Sequence, residues 1–252
     1  MEVGDSKAKL SELLTQTTLL YQAQNGTPEQ ADAARQLLML RYSGAVHRYL
    51  LKVVGDAEVA RDLNQEFSVK FLEGKFRHFD PTRGRFRDYL KRALRNLMVD
   101  HFRKRKGASQ LDTAMEADIV GDVGLGDFDK QFLFSWRQDL LARSWDSLRA
   151  YEENTGKPFH KVMRLRLARP QMRSPELAEE LAKRIGRPMT AGNLRQILHR
   201  ARDKFTEFLV DEVRVSLKHP TREAVEEELG DLQLLELCRP TLSKLKFDDD
   251  PR

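Results

Sequence analysis

The feature that most constrains the fold is the spacing of apolar residues, which recur every three or four positions along most of the chain. This spacing places them on one side of an α-helix, whereas a half-buried strand requires strict alternation. One such stripe runs from Leu38 to Val53, and the longest runs from Phe86 to Phe102. We find no run of β-branched residues bounded by turns. The sequence therefore predicts an all-α protein.

Charge is distributed in blocks rather than evenly. Residues 83–106 contain ten lysines and arginines against two acidic residues, and residues 160–204 contain twelve against four. Between these blocks, residues 107–129 contain six acidic residues, no basic residue and no clear period. Two basic helical blocks joined by an acidic linker predict a protein that contacts a polyanion at two places.

Composition excludes several classes of protein. The single cysteine, Cys238, excludes a disulfide scaffold and any Cys-rich metal site, and we expect it to pack in a tail helix. The scattered histidines and the lack of a marked nucleophile–base arrangement predict no metal site, no cofactor and no catalytic residue. No apolar run approaches the ~18 residues of a membrane span, and the N-terminus has no apolar signal core. We expect a soluble, cytoplasmic protein that is not an enzyme.

The helix predicted to follow Asp56 carries acidic residues opposite its apolar side. Asp56 suits the N-cap position, because its carboxylate can accept hydrogen bonds from the first free backbone amides. Such an acidic face can be simply solvated, or it can be a docking surface for a basic partner. The residues of this face are Glu58, Asp62, Gln65 and Glu66.

The next segment is a turn rich in arginine and aromatic residues. Asp80-Pro81 followed by Gly84 is turn chemistry. Aromatic rings can stack on unpaired bases while neighbouring arginines hold the backbone. Phe86 and Tyr89 also fit core positions of the following helix, and this alternative stays open. The candidate residues of the turn are Phe79, Arg83, Arg85 and Phe86.

The helix predicted over about 85–105 is apolar on one side and basic on the other. Arg87, Lys91 and Arg95 recur at intervals of four. A solvated face usually mixes both signs of charge, whereas this one carries a single sign, which favours a DNA groove or backbone as its partner. Beside these residues lie Arg92, Asn96 and Arg103.

Together these segments resemble region 2 of bacterial sigma factors, most nearly the extracytoplasmic-function group. The resemblance is carried by Gly55-Asp-Ala-Glu, by Asp62-Leu-Asn-Gln-Glu-Phe, by Phe-Asp-Pro-x-x-Gly-x-Phe at 79–86, and by Tyr-Leu-x-Arg-x-x-Arg-Asn-x-x-x-Asp-x-x-Arg at 89–103. In that family the acidic helix docks on the clamp coiled coil of RNA polymerase, the loop captures a flipped base of the −10 element, and the basic helix holds the −10 DNA. The resemblance implies polymerase contacts at Glu58, Asp62, Gln65 and Glu66, base capture at Phe79, Arg83, Arg85 and Phe86, and DNA contacts at Arg92, Arg95, Asn96 and Arg103.

The second basic block has the pattern of a helix-turn-helix. Ser174 and Pro175 suit the start of one helix, Gly186 interrupts it, and Thr190 suits the N-cap of a second, basic helix. In such a motif the start of the second helix enters the major groove. An ordinary helical hairpin with a basic surface is the alternative. We predict DNA contacts by Thr190, Asn193, Arg195, Gln196, His199, Arg200 and Arg202, and packing by Leu194, Ala201 and either Ile197 or Leu198.

The stretch from Met189 to Phe205 also resembles the recognition helix of region 4 in the same family, which reads the −35 element. Region 2, an acidic linker and region 4 follow one another in the family's order. The predicted organisation is a helical N-terminal extension at 1–30, a region 2-like domain at 31–106, an acidic linker at 107–130, a region 4-like domain at 131–210 and an acidic C-terminal extension at 211–252.

The resemblance implies a transcription initiation factor that brings RNA polymerase core to −35/−10 promoters and assists DNA melting. The implied partners are the core enzyme, through its β′ clamp coiled coil and β flap, and promoter DNA, both double-stranded and melted. An anti-sigma factor or another regulator stays open as a further partner. The implied location is the bacterial cytoplasm, at the nucleoid. Two alternatives remain: a helix-turn-helix regulator that acts without polymerase, and an interaction protein whose basic faces bind an acidic protein.

The C-terminal segment combines a helix pattern with excess negative charge. Thr221 suits an N-cap, and Val225, Leu229 and Leu232 then share one side of a helix. Residues 218–252 are accordingly a solvated extension, a tail that docks a partner, or a shield that folds back on the helix-turn-helix until polymerase displaces it.

Overall fold

The computed structural model of the chain describes residues 16–74, 85–105, 125–217 and 219–247. Every regular element in these ranges is an α-helix and none is a strand, which confirms the predicted all-α fold. No helix in the same ranges is long and apolar enough to cross a membrane. In chain order the helices are α1 (Gln16–Asn25), α2 (Pro28–Val54), α3 (Ala57–Leu72), α4 (Phe86–Arg105), α5 (Leu125–Thr155), α6 (Phe159–Ala168), α7 (Ser174–Ile185), α8 (Ala191–Ser216), α9 (Arg222–Asp231) and α10 (Leu235–Leu242).

The helices divide between two units. The first unit contains the chain up to Asp139 together with Val215–Pro220, and the second contains Leu140–Arg214 and the chain from Thr221 onward. The division falls within α5, so the first part of this helix belongs to one unit and the remainder to the other.

Local sequence determines where the first helices begin and end. The Thr27 hydroxyl accepts a hydrogen bond from the Gln30 amide at 3.4 Å, and the Gln30 side chain accepts one from the Thr27 amide at 3.1 Å. This reciprocal capping box starts α2. Gly55 ends α2 with a φ of 72°, a left-handed conformation that glycine adopts without steric cost. The Asp56 carboxylate then caps α3, as predicted, by accepting a hydrogen bond from the Glu58 backbone amide at 2.8 Å.

The core of the first unit forms around α2, which packs against α1 and α3. Tyr42 and Tyr49 of α2 are buried, together with Leu63 and Phe67 of α3 and Leu94 of α4. These residues belong to the apolar stripes predicted from the sequence. Complete burial of a large apolar side chain contributes about 1.5–3 kcal/mol, so this cluster is a main source of the unit's stability.

The first part of α5 supplies a further layer of this core. Phe128, Phe132 and Trp136 follow one another at intervals of four residues, and all three are buried. The ring of Phe132 meets that of Tyr49 edge-on, with centroids 5.4 Å apart, and Trp136 stacks on Tyr42. The helix therefore covers the aromatic side of α2.

This arrangement differs from the predicted organisation. Residues 125–130 are helical, although the linker was expected to extend through residue 130, and residues 131–139 belong to the first unit rather than to a second domain. The physical reason is that the apolar stripe of α5 is covered by aromatic side chains of α2. Local spacing predicts such a stripe but does not identify the surface that covers it.

The approach of α5 to α2 is close at one point. The Arg48 guanidinium donates to the Asp139 carboxylate at 2.8 Å. A Cβ atom placed on Gly44 would lie only 2.6 Å from the same carboxylate. Glycine at this position therefore leaves room for the ion pair between the two helices.

In the second unit, the pair α7 and α8 has the predicted helix-turn-helix order. Gly186 ends α7 with a φ of 67°, and α8 begins five residues later. Leu177 and Leu181 of α7 are buried, as are Leu194 and Leu198 of α8. The open choice between Ile197 and Leu198 is thus resolved in favour of Leu198, and Ala201 is buried as predicted.

The tail helices α9 and α10 belong to the same unit. The Thr221 hydroxyl accepts the Ala224 amide at 3.2 Å and caps α9, as predicted. Val225 and Leu229 are completely buried, and so is Cys238 of α10. The described part of the tail is therefore a component of the core of this unit, which excludes a solvated extension there.

Candidate nucleic-acid and protein interfaces

The acidic face of α3 is presented to solvent. Leu63 and Phe67 are buried on one side of the helix, so the acidic residues on the opposite side face solvent. Glu58, Asp62 and Gln65 are exposed. Glu66 is partly exposed, and its carboxylate forms an ion pair with the Lys70 ammonium, one turn later, at 2.7 Å. We call these four residues, Glu58, Asp62, Gln65 and Glu66, the acidic stripe.

The acidic stripe has an apolar continuation that was not predicted from the sequence. Val69 and Leu72 lie four and seven residues beyond Gln65, hence on the same side of α3, and they are 47% and 40% exposed. Exposed apolar side chains next to carboxylates form a mixed surface of the kind that protein partners cover. The signal was present in the spacing 58, 62, 65, 69 and 72, but only the charged and amide residues of this spacing were considered as a docking surface.

The basic side of α4 is also open to solvent. Leu90 and Leu94 bury the opposite side of the helix. Arg92, Arg95 and Asn96 are exposed, whereas Arg103 is only partly exposed and has interactions within the protein. We call Arg92, Arg95, Asn96 and Arg103 the basic face.

Two residues predicted for DNA contact are buried, and for Phe86 this confirms the alternative core position that the sequence had left open. Phe86 is 3% exposed, and its ring lies 5.3 Å from that of Tyr42 and 6.2 Å from that of Tyr89. Arg87, expected to begin the basic stripe, is 6% exposed. Both side chains lie in the first turn of α4, where that turn meets the core of the unit. We therefore remove Phe86 from the predicted base-capture set and Arg87 from the basic stripe.

The remaining residues of the predicted base-capture turn are only partly described. Arg85 precedes α4 and is partly exposed, and its carbonyl accepts the amides of Asp88 and Tyr89 at 3.1 and 3.2 Å. Phe79 and Arg83 lie outside the described residues.

An acidic residue of α5 lies against α4. The Lys91 ammonium donates to the Asp129 carboxylate at 3.0 Å. Burial raises the pKa of the Tyr49 hydroxyl above its ordinary value, and the negative charge of Asp129 raises it further, while Arg95 acts in the opposite direction. Asp129 therefore interacts electrostatically with both Lys91 and Tyr49.

In the second unit, the start of α8 presents the predicted recognition residues. The Thr190 hydroxyl accepts the Asn193 amide at 3.1 Å and so caps the helix. All seven predicted side chains are exposed, while Leu194, Leu198 and Ala201 of the same turns are buried. We call these seven residues the recognition segment: Thr190, Asn193, Arg195, Gln196, His199, Arg200 and Arg202.

The described part of the tail leaves the recognition segment uncovered. It contacts α8 further along the helix, where the Lys244 ammonium donates to the Asp203 carboxylate at 2.8 Å and the hydroxyls of Thr206 and Thr241 are hydrogen-bonded. Through residue 247 the structure contradicts the predicted shield, because the tail contacts α8 at Asp203, at Thr206 and, through Phe247, at Arg214, while the recognition segment stays exposed. The acidic residues 248–250 lie outside the described part.

Comparison with known families gives one match, which lies in the first unit. Residues 38–108 match the model of Sigma-70 region 2. The match includes the acidic stripe and the basic face, supports a sigma factor of the sigma-70 family, and indicates a role in transcription initiation with RNA polymerase and promoter DNA. The recognition segment lies outside the matched residues. Neither the curated proteins nor the solved structures gave a significant match to the chain.

Proposed function

We propose that this chain is a sigma factor of the extracytoplasmic-function type that directs RNA polymerase core to promoters with −35 and −10 elements. The observation that carries the proposal is the placement of the acidic stripe on α3 and the basic face on α4, both within the segment that matches Sigma-70 region 2. An exposed anionic surface for a protein and an exposed cationic surface for DNA are thus built on one helical core.

The acidic stripe is the proposed docking surface for the β′ clamp coiled coil. The exposed Asp62 and Gln65 would meet basic groups of the partner, and Val69 would give the contact an apolar part. Charge complementarity of this kind sets the orientation and the rate of association more than the final affinity.

The basic face is the proposed contact for the −10 DNA. Arg92 and Arg95 carry cations that can bind phosphate, and the Asn96 amide suits an adenine edge. Phe79, Arg83 and Arg85 remain the proposed base-capture residues. Extruding a base costs a few kcal/mol, which a pocket for the flipped base offsets.

The recognition segment is the proposed reader of the −35 element. Its start is capped by Thr190, and the exposed Arg195 and Gln196 occupy the early turns of α8, which enter the major groove in helix-turn-helix proteins. Arg200 and Arg202 lie further along the helix and suit phosphates. The region 4-like role of this domain and the β flap as its partner belong to the proposal.

The direct test is run-off transcription with RNA polymerase core and a promoter selected from a random library. The protein should direct specific initiation that core enzyme alone does not give. Tight, specific binding of duplex DNA without an effect on core enzyme would instead favour a helix-turn-helix regulator. No effect on DNA or on transcription would favour a protein whose basic faces bind an acidic protein.

The docking surface is tested by reversing its charge. Asp62→Lys/Glu66→Lys should weaken binding to core enzyme by tenfold or more, because two anionic contacts become repulsive, and helicity should be unchanged. The matched control is Glu29→Lys/Asp32→Lys, which changes two exposed carboxylates of α2 by the same charge. Equal affinities for the two double variants would contradict the proposed surface.

A further inference from the structure

One contact within the first unit joins the DNA-binding helix to a part of the chain beyond the family match. Lys91 of α4 donates to the carboxylate of Asp129, which lies 38 residues later on α5. Arg92 and Arg95 of the same helix are exposed. Lys91 therefore lies within the cationic side of α4 but is occupied by an internal anion.

The position of Asp129 follows from the packing of its helix. Phe128, its neighbour in sequence, is buried, and so is Phe132 one turn later. Phe132 packs on Tyr49 of α2, so the helix that carries Asp129 is fixed and the carboxylate reaches Lys91 from an ordered backbone.

The ion pair is open enough to be exchanged. The Asp129 side chain is 54% exposed and that of Lys91 is 26% exposed. A pair this exposed is weak, because water screens the attraction between its charges. A DNA phosphate, with the field of a whole polyanion behind it, is a stronger partner for the same ammonium group.

We propose that Lys91 is a further phosphate-binding residue of the basic face and that Asp129 is its internal counter-ion, which holds Lys91 until DNA phosphate replaces the carboxylate. The proposal rests on the proposed function of α4 as a DNA-binding helix. In the absence of DNA, Asp129 lowers the cationic charge that α4 offers. When DNA binds, a phosphate must replace the Asp129 carboxylate at Lys91. The Asp129 carboxylate then lies close to the phosphates and repels them.

The test compares full-length variants in their binding to a labelled, 20-base-pair duplex of mixed sequence and to a heparin column. Asp129→Asn should raise affinity for the duplex about two- to fivefold at low salt, the range that corresponds to an exposed ion pair. The gain should shrink above ~0.15 M salt, where the screening length is ~8 Å. Elution from heparin should shift to higher salt.

Two further variants show whether the effect passes through Lys91. In a Lys91→Ala background, Asp129→Asn should give no gain beyond that of Asp32→Asn, which removes an exposed carboxylate of α2. Lys91→Ala alone should reduce the slope of log affinity against log salt by about 0.9, the share of one phosphate contact. Thermal unfolding confirms that each variant is folded before binding is measured.

The proposal is overturned if Asp129→Asn and Asp32→Asn bind DNA alike, or if Asp129→Asn gives the same gain with and without Lys91. Failure of the underlying function is seen separately. If Arg92→Ala/Arg95→Ala leaves DNA affinity and run-off transcription unchanged, α4 is not a DNA-binding helix, whatever the result for Asp129.

Discussion

The indole ring of Trp136 lies parallel to the phenol ring of Tyr42, with centroids 4.8 Å apart and an angle of 9° between the planes. This stack joins α5 to α2. Tyr42 lies within the segment that matches Sigma-70 region 2, residues 38–108, whereas Trp136 lies beyond its end. The structural unit that carries the acidic stripe and the basic face therefore extends past the family match to Asp139.

Removal of this indole should destabilise the first unit. Trp136 is 2% exposed, and replacing a buried Trp with Ala typically costs about 3–5 kcal/mol through lost burial and a residual cavity. We expect Trp136→Ala to unfold at lower urea concentration and to lose protection of the α2 amides in hydrogen exchange.

Phe134 provides a matched control on the same helix. Its side chain is 45% exposed, and Phe134→Ala should change stability by no more than about 0.5 kcal/mol. If both variants lost equal stability, the burial of Trp136 against α2 would not be the source of the effect.

The recognition segment allows base-reading and phosphate-binding residues to be separated. Arg195→Ala should relax preference at one base position by roughly 1–3 kcal/mol, because the substitution removes the guanidinium proposed to bind a guanine edge. Arg202→Ala should weaken binding to all sequences alike and reduce the salt slope by about one. The measurement is binding-site selection with the holoenzyme, at two salt concentrations. An unchanged preferred sequence for Arg195→Ala would contradict its role as a base reader.

Capping residues show how much of this structure local sequence can predict. Asp56, Thr190 and Thr221 were each assigned an N-cap from sequence, and each accepts a hydrogen bond from the expected backbone amide. Ser174 was assigned an N-cap as well, but it is the first helical residue of α7, and Arg173 occupies the cap position. A cap needs only the polar side chain and the amides two or three residues later, so the information is local. The apolar stripes of α2 and α3 are likewise predicted by spacing alone.

The sequence does not show which helix packs against each apolar stripe. Phe86 starts a stripe that spacing does predict, and its ring lies against Tyr42 of α2. Arg87, the next residue, is buried although its charge and its spacing with Lys91 and Arg95 predicted an exposed basic position. Trp136 follows the predicted acidic linker and therefore fell within the region 4-like domain predicted at 131–210. The Lys91–Asp129 pair joins two helices whose contact no local pattern reveals.

Thr190 combines a structural and a proposed DNA-binding role, and two substitutions separate them. Thr190→Ala removes the hydroxyl that accepts the Asn193 amide and should destabilise the second unit by about 0.5–2 kcal/mol. Thr190→Ser keeps the hydroxyl and should retain most of that stability. Urea unfolding of the two variants measures the difference. Equal losses for Ala and Ser would show that the cap is not the relevant interaction.

The thiol of Cys238 tests whether the tail remains packed at high pH. Cys238 is completely buried in α10, and burial raises the pKa of its thiol to about 12 from an ordinary value of 9.0. Because the unfolded chain loses this proton first, stability is unaffected below the unfolded pKa and falls as the pH rises from there towards the folded pKa. One pKa unit corresponds to about 1.4 kcal/mol, so the loss from this group should reach roughly 1 kcal/mol by pH 10.

We expect urea unfolding at pH 8 and pH 10 to show this loss in the wild-type protein and a smaller one in Cys238→Ala, which lacks the thiol. Identical pH dependence in the two proteins would contradict the buried, protonated thiol and with it the packed tail.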